Sequence, residues 1–252
     1  ANSAGFNDYK EFLKHILTEI EKHAIEKNWL PVIFALYDEP VSKEAKEATI
    51  SYCLIWKDIT KNLTKIKTTG YTSMSSSGEI DETQIKLATS VDIVSLNIHD
   101  EKALDVLREK GTGWAYYNNG NRFTYGIYLF KATKELNLHH RIAWHWNVCA
   151  GDPYYALDCR EDDYAWFVTN AKKELIPSIF FLRLAEGIDD YRYLLTLSRL
   201  INEKPNHTYS KEAKRIIDET LSSIKVGQRT YPPTAYREIR YKVAEAIEKL
   251  LK

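Results

Sequence analysis

Five short segments rich in β-formers, separated by segments of helical period, constrain the fold of this chain more than any other feature. The strand-like segments are Trp29–Tyr37, Lys65–Tyr71, Val91–Ile98, Gly113–Tyr117 and His140–Trp146. A helical period covers residues 7–28 ahead of the first, and others cover 41–62, Glu101–Lys110 and Thr124–Leu136 between the rest, with Glu82–Ala88 a short helix or turn. Phe12, Ile16, Ile20 and His23 or Ala24 mark the apolar side of the first helix, with Asn7 or Asp8 as its cap. Ala45, Ala48, Ile50, Cys53, Leu54 and Trp56 do the same for the second. Strands alternating with helices of this length predict repeated β/α units around a parallel sheet. A loop rich in Asp, Tyr and Cys follows the fifth strand. A long helix is then predicted from about Pro177 to Ile201, and the charged last 40 or so residues read as helices broken at Pro232-Pro233.

The ends of the strands carry the chemistry. Ile33-Phe34-Ala35-Leu36-Tyr37 runs into two adjacent carboxylates, Asp38 and Glu39, and Pro40 stops the strand behind them. Parallel sheets and barrels present catalytic groups at this carboxyl edge. The other ends add Tyr71, Asn97-Ile98-His99-Asp100, Tyr116-Tyr117-Asn118 and Trp144-His145-Trp146-Asn147. Read as one rim, they set two acids among tyrosine, tryptophan, asparagine and histidine. That is glycosidase chemistry: one carboxyl protonates the leaving group while a second group stabilises an oxocarbenium-like centre. Adjacent acids also suit the work because one ionised carboxylate raises the pKa of its neighbour. The competing reading of Asp38-Glu39 is an acid pair capping the helix that follows. A metal site built from His99, Asp100, His139, His140 and His145 with Asp38 and Asp152 finds no support in spacing, since neither His-x-His nor His-Glu-x-x-His occurs. His139-His140 is expected to cap a helix end. Glu186–Tyr191 is expected to be structural, inside a stripe of Leu184, Ile188, Tyr191, Leu195 and Leu197 or Ser198.

Composition narrows the partners. The 252 residues suffice for one barrel-sized domain, read as β/α units over 1–200 and a helical extension over 201–252. The 35 basic and 35 acidic residues cancel, so no global field favours nucleic acid or an anionic membrane. No window reaches the roughly 18–20 apolar residues of a membrane span. Ala1–Gly5 has neither the basic region nor the apolar core of a signal peptide. The 17 Tyr and 6 Trp cluster in part at 114–128 and 144–166, and their flat faces with polar handles suit sugars. Cys53, Cys149 and Cys159 show no metal spacing, and a Cys149–Cys159 bridge and free thiols both remain open.

Four segments in order resemble the catalytic domain of family 123 glycoside hydrolases and their uncharacterised relatives. They are Trp29-Leu30 with Tyr37-Asp38-Glu39-Pro40, Gly113-Trp114-Ala115-Tyr116, Ala143-Trp144-His145-Trp146-Asn147 with Asp152-Pro153, and Pro177-Ser178-Ile179 with Glu186–Tyr191. The resemblance spans about residues 25–200. It implies a (β/α)8 barrel of which this chain supplies strands four to eight, and retaining, substrate-assisted cleavage of β-linked N-acetylgalactosamine-like glycans. Glu39 would protonate the glycosidic oxygen and later activate water, and Asp38 would orient the 2-acetamido group. Tyr116 would bond near that group, and Trp144 or Trp146 would stack on the sugar. Tyr37, Asn97 and Asn147 complete the expected sugar-binding set. No cofactor is called for. The expected partners are a glycan and, because five strands leave a barrel of eight open, a second copy or the missing N-terminal half. A secreted or cell-surface location is likewise implied only by the resemblance. Where the family reads Ser-Ile-Arg-x-Glu, this chain has Ser178-Ile179-Phe180-Phe181-Leu182, and that departure with the partial barrel sets the alternative reading, a non-catalytic carbohydrate-binding or degenerate relative that needs a partner to complete its barrel.

Overall fold

The structure is a computed structural model that describes residues 5–75, 77–78, 80–118, 120–143, 147–148 and 164–252. The chain divides into two compact units. One comprises Ala1–Tyr116 with Leu138–His140, the other Tyr117–Asn137 with Arg141–Lys252.

The first unit holds most of a five-stranded sheet in the order β1 (Val32–Asp38), β2 (Ile66–Thr72), β3 (Ile93–Leu96), β4 (Gly113–Asn118) and β5 (Leu138–Ala143). The sheet is parallel, as the alternation of strands and helices predicts, and the chain has an α/β fold. Its helices are α1 (Tyr9–Glu26), α2 (Lys43–Thr60), α3 (Glu82–Ala88) and α4 (Glu101–Glu109). Each begins at a side chain that accepts a backbone N–H of the first turn: Asp8, Ser42, Asp81 and Asp100. Such a cap contributes about 1 kcal/mol, and here four of them place each helix start one or two residues after a loop.

Leu13 and Leu17 of α1, Trp56 of α2 and Ile66 of β2 form a core against which Val32, Phe34 and Leu36 of β1 pack. The buried side of α1 is therefore Leu13, Leu17, Glu21 and Ala24, one position round from the predicted stripe, and Ile16 stays exposed. The rotation has a polar cause. Glu21 turns inward and its carboxylate accepts from the Thr64 N–H (2.7 Å), the Thr64 hydroxyl (2.7 Å) and the Lys65 N–H (2.9 Å), fixing the loop into β2. Asp92 works similarly at the start of β3, accepting from the N–H and hydroxyl of Thr68 at 2.8 and 2.9 Å. These acids at the amino edge are spent on holding backbone.

The second unit contains α5 (Arg122–Tyr125), α6 (Ile127–Glu135), α7 (Ile179–Glu203), α8 (Ser210–Ser222) and α9 (Pro233–Leu251). It also holds two small antiparallel ribbons, β6 (Asn147–Val148) with β7 (Tyr164–Ala165) and β8 (Phe167–Thr169) with β9 (Leu175–Pro177). The helix predicted over Thr124–Leu136 is two pieces broken at Gly126. A Cβ there would lie 2.8 Å from both the Arg122 and the Gly187 carbonyl oxygens, so the backbones of α5 and α7 approach at that point. The buried side of α7 is Leu184, Gly187, Asp190, Leu194 and Leu197, whereas Ile188 is exposed. The expected apolar stripe is thus shifted, because Gly187 takes the close contact and Asp190 is drawn inside by two arginines. Among the described residues no helix is long and apolar enough to cross a membrane.

Candidate active site

The parallel register decides which strand residues share a face. Ala35 pairs with Thr69 and Asp38 with Tyr71, so Leu36 and Tyr37 together oppose Gly70 alone. That is a β-bulge, one extra residue in β1. Without it, strict alternation would put Tyr37 on the face of Ile33 and Ala35. With it, Tyr37 turns to the helix side. Its ring lies where a Gly70 side chain would be, and its hydroxyl donates to the Leu87 carbonyl of α3 at 3.2 Å. Burial, and beyond it the nearby Cys53, pushes the Tyr37 phenol far above its ordinary pKa. Glycine at position 70 is thereby explained: only a residue with no side chain leaves room for the tyrosine.

The same bulge returns Asp38 to the opposite face. Its register partners there are Tyr71, then Ser95, then Ala115. Thr69 and Ser95 lie on this face too, their hydroxyls 2.9 Å apart and both buried. Tyr71 is half-buried, and burial followed by the charge of Asp38 raises its pKa. Asn97, just past β3, is held at the same carboxyl edge by its N–H bond to the Thr72 carbonyl at 2.9 Å.

Glu39 adopts φ 41°, in the left-handed region. Non-glycine residues other than Asn and Asp seldom do so, and such strain is held only where the surroundings over-determine it. Here the Glu39 N–H is pinned to the Tyr71 carbonyl at 2.8 Å. Both acids have exposed side chains. Neither caps the next helix, because Ser42 does so, accepting from the Ala45 N–H at 3.1 Å. The capping reading of the pair is thereby removed.

Other rim residues land elsewhere. Tyr116 pairs with Leu96 and is 2 % exposed, on the helix face with Thr72 and Leu96 and away from Asp38. Its ring and that of Trp114 each lie 4.8 Å from the buried His99 ring, forming an aromatic cluster under the sheet. Asp100 caps α4 and accepts from the Ser75 hydroxyl at 3.1 Å. His139 and His140 belong to β5 rather than to a helix end. The His139 ring sits against Gly113, and burial, then His139, lowers the pKa of His140. Among the described residues no three of His, Cys, Asp and Glu group closely enough to hold a metal ion. Trp144 and Trp146 lie outside the described residues, as do His145, Cys149, Asp152 and Cys159, and Asn147 is placed by its backbone in β6.

The structure thus brings Asp38, Glu39, Tyr71 and Asn97 to one edge and turns Tyr37 and Tyr116 to the other side of the sheet. Ser95 and Thr69, on the Asp38 face, were not among the residues singled out from sequence. A polar residue alternating with Ile93, Val94 and Leu96 is the signal that marks Ser95.

No family model and no curated protein matches this chain. Among solved structures it is similar to the dihydrodipicolinate synthase of Oceanobacillus iheyensis, at 10 % identity over 96 % of this chain and 80 % of that one, with a TM-score of 0.26. A likeness at that level carries no weight for fold or activity.

Proposed function

We propose that the chain is a retaining, substrate-assisted glycoside hydrolase acting on β-linked N-acetylhexosamine, with its five parallel strands forming part of a (β/α)8 barrel. The observation that carries this reading is Glu39, a carboxylate on a left-handed backbone at the carboxyl edge of a parallel sheet, beside Asp38. This pair is exposed at the carboxyl edge, where parallel sheets bind ligands.

In the reaction, the acetamido oxygen of the sugar attacks the anomeric carbon as the glycosidic bond breaks. Glu39 gives its proton to the departing oxygen. Asp38 accepts a hydrogen bond from the acetamido N–H and stabilises the positive charge that develops on that group. Water then attacks the anomeric carbon, Glu39 takes its proton, and the acetamido group is released. The nucleophile belongs to the substrate, so its orientation is already fixed and the protein supplies one acid and one orienting carboxylate. Tyr71, facing Asp38, takes the hydroxyl role that the family resemblance gives to Tyr116. The family resemblance gives a stacking role to Trp144 or Trp146 and a polar contact to Asn147, and at this edge Asn97 supplies a polar contact. The partner is a glycan.

The test is hydrolysis of aryl N-acetyl-β-galactosaminide and aryl N-acetyl-β-glucosaminide. Turnover that falls about 100-fold or more in Glu39→Gln is expected, the upper part of what a general acid contributes. Turnover that Glu39→Gln leaves unchanged would overturn the proposal.

A further inference from the structure

The second unit holds a cavity of about 290 Å³ lined by Arg122, Glu186, Arg237, Arg240 and Tyr241. Three guanidiniums therefore meet one lining carboxylate, and Asp190 lies buried against two of them.

The hydrogen bonds show which charges are used. Asp190 accepts from Arg122 Nε at 2.7 Å and Nη2 at 3.2 Å, and from Arg240 Nε at 2.7 Å. Arg240 also pairs with Glu186 at 2.8 Å through Nη1 and donates to the Glu186 carbonyl at 2.9 Å. Arg240 is spent. Arg122 also reaches Glu186 through Nη2 at 3.6 Å, which leaves its Nη1 as the donor that bonds nothing among the described residues. Arg237 forms no ion pair there either, its guanidinium standing 6.0 Å from the Tyr241 ring centre. Arg122, Arg237 and Arg240 against Glu186 and Asp190 leave one net positive charge.

The unspent donors are held in place. Arg122 is locked by Asp190 and lies over the Tyr236 ring at 4.6 Å. Aromatic faces strip water from a guanidinium without neutralising it, and a planar fork fixed in this way suits a tetrahedral oxyanion. Holding α7 to α5 and α9 needs Arg122, Arg240 and Asp190; it does not need Arg237. The cavity is also far larger than a bare sulfate or phosphate and approaches the lower end of small-molecule sites.

We propose that this cavity binds the sulfate or phosphate ester of a sugar-sized ligand, with Arg237 and Arg122 Nη1 gripping the oxyanion. The site stands independently of the hydrolase reading.

Calorimetric titration with inorganic phosphate, inorganic sulfate, galactose 6-phosphate and galactose 6-sulfate separates the sources of the anion. Saturable binding of the esters is expected, about tenfold tighter than the free ions, with galactose itself showing none. Arg237→Ala should keep its fold, checked by circular dichroism, and bind all of them about tenfold more weakly. Arg237→Lys should fall between, because it keeps the charge and loses the fork. Esters binding no more tightly than the ions would overturn the sugar-sized ligand, and Arg237→Ala binding like the wild type would overturn the site.

Discussion

Asp38 and Tyr71 stand opposite each other across the β1–β2 ladder, and after burial it is the charge of Asp38 that holds the Tyr71 phenol above its ordinary pKa. This pairing exists because β1 carries one residue more than β2 between Ala35 and Asp38. A neutral phenol facing a carboxylate at a strand tip places a hydrogen-bond donor at the carboxyl edge of the sheet.

Tyr71→Phe should therefore lower kcat for the aryl N-acetylhexosaminide about 10- to 100-fold, the cost of losing a hydrogen bond that involves a charged group. Tyr116→Phe should leave kcat within about twofold, since that ring lies on the opposite face of the sheet. Steady-state kinetics on the two variants checks the assignment, and a reversed order would restore Tyr116 to the site.

Gly70→Ala should destabilise the protein by about 1–3 kcal/mol, the usual cost of forcing extra volume into a packed interior. The added carbon would meet the Tyr37 ring. Urea unfolding of Gly70→Ala, alone and combined with Tyr37→Ala, measures it. The second substitution should absorb most of the penalty if the bulge places Tyr37 as described.

Glu21→Gln should cost about 1–3 kcal/mol, because the neutral amide offers one oxygen where the carboxylate offers two to the Thr64 and Lys65 donors. Burial raises the pKa of Glu21, but those hydrogen bonds outweigh it and the net shift is downward from 4.5. A lowered carboxylate stabilises the fold above its unfolded pKa, and that contribution fades as pH falls through the folded value. Acid unfolding of wild type should thus show a loss below about pH 4.5 that Glu21→Gln lacks in part.

At the alkaline end the sign reverses. Tyr37 and Tyr71 are both raised from 10.0, Tyr37 by burial then Cys53 and Tyr71 by burial then Asp38. Above pH 10 the unfolded chain ionises these phenols while the folded chain keeps them protonated, so stability falls as pH rises. Urea midpoints from about pH 8 to 11 should drop, and Tyr37→Phe should flatten much of the fall.

The elements of the first unit were legible because their signals are local. Asp8 precedes a helix of clear period and caps it, and Glu82–Ala88, expected as a short helix or turn, is a helix over those bounds. What the sequence could not show were the facts set by pairing. The extra residue in β1 exists only relative to β2, yet it decides that Tyr37 faces the helices and Asp38 does not. Tyr116 and Tyr117 read alike in a row of aromatics and both are buried, and only the register with Leu96 tells which face Tyr116 takes. Likewise Asp190 sits in an apolar period that gives no hint of two arginines 68 and 50 residues away. The acid pair itself was legible, because Pro40 and the strand run mark where it falls.

The most direct test compares hydrolysis of aryl N-acetyl-β-galactosaminide with that of the matching aryl β-galactoside, which lacks the acetamido group, by wild type, Asp38→Asn and Glu39→Gln. The account predicts turnover of the acetamido substrate alone, lost about 100-fold or more in each variant. Equal turnover of both glycosides, or variants as active as the wild type, would contradict it.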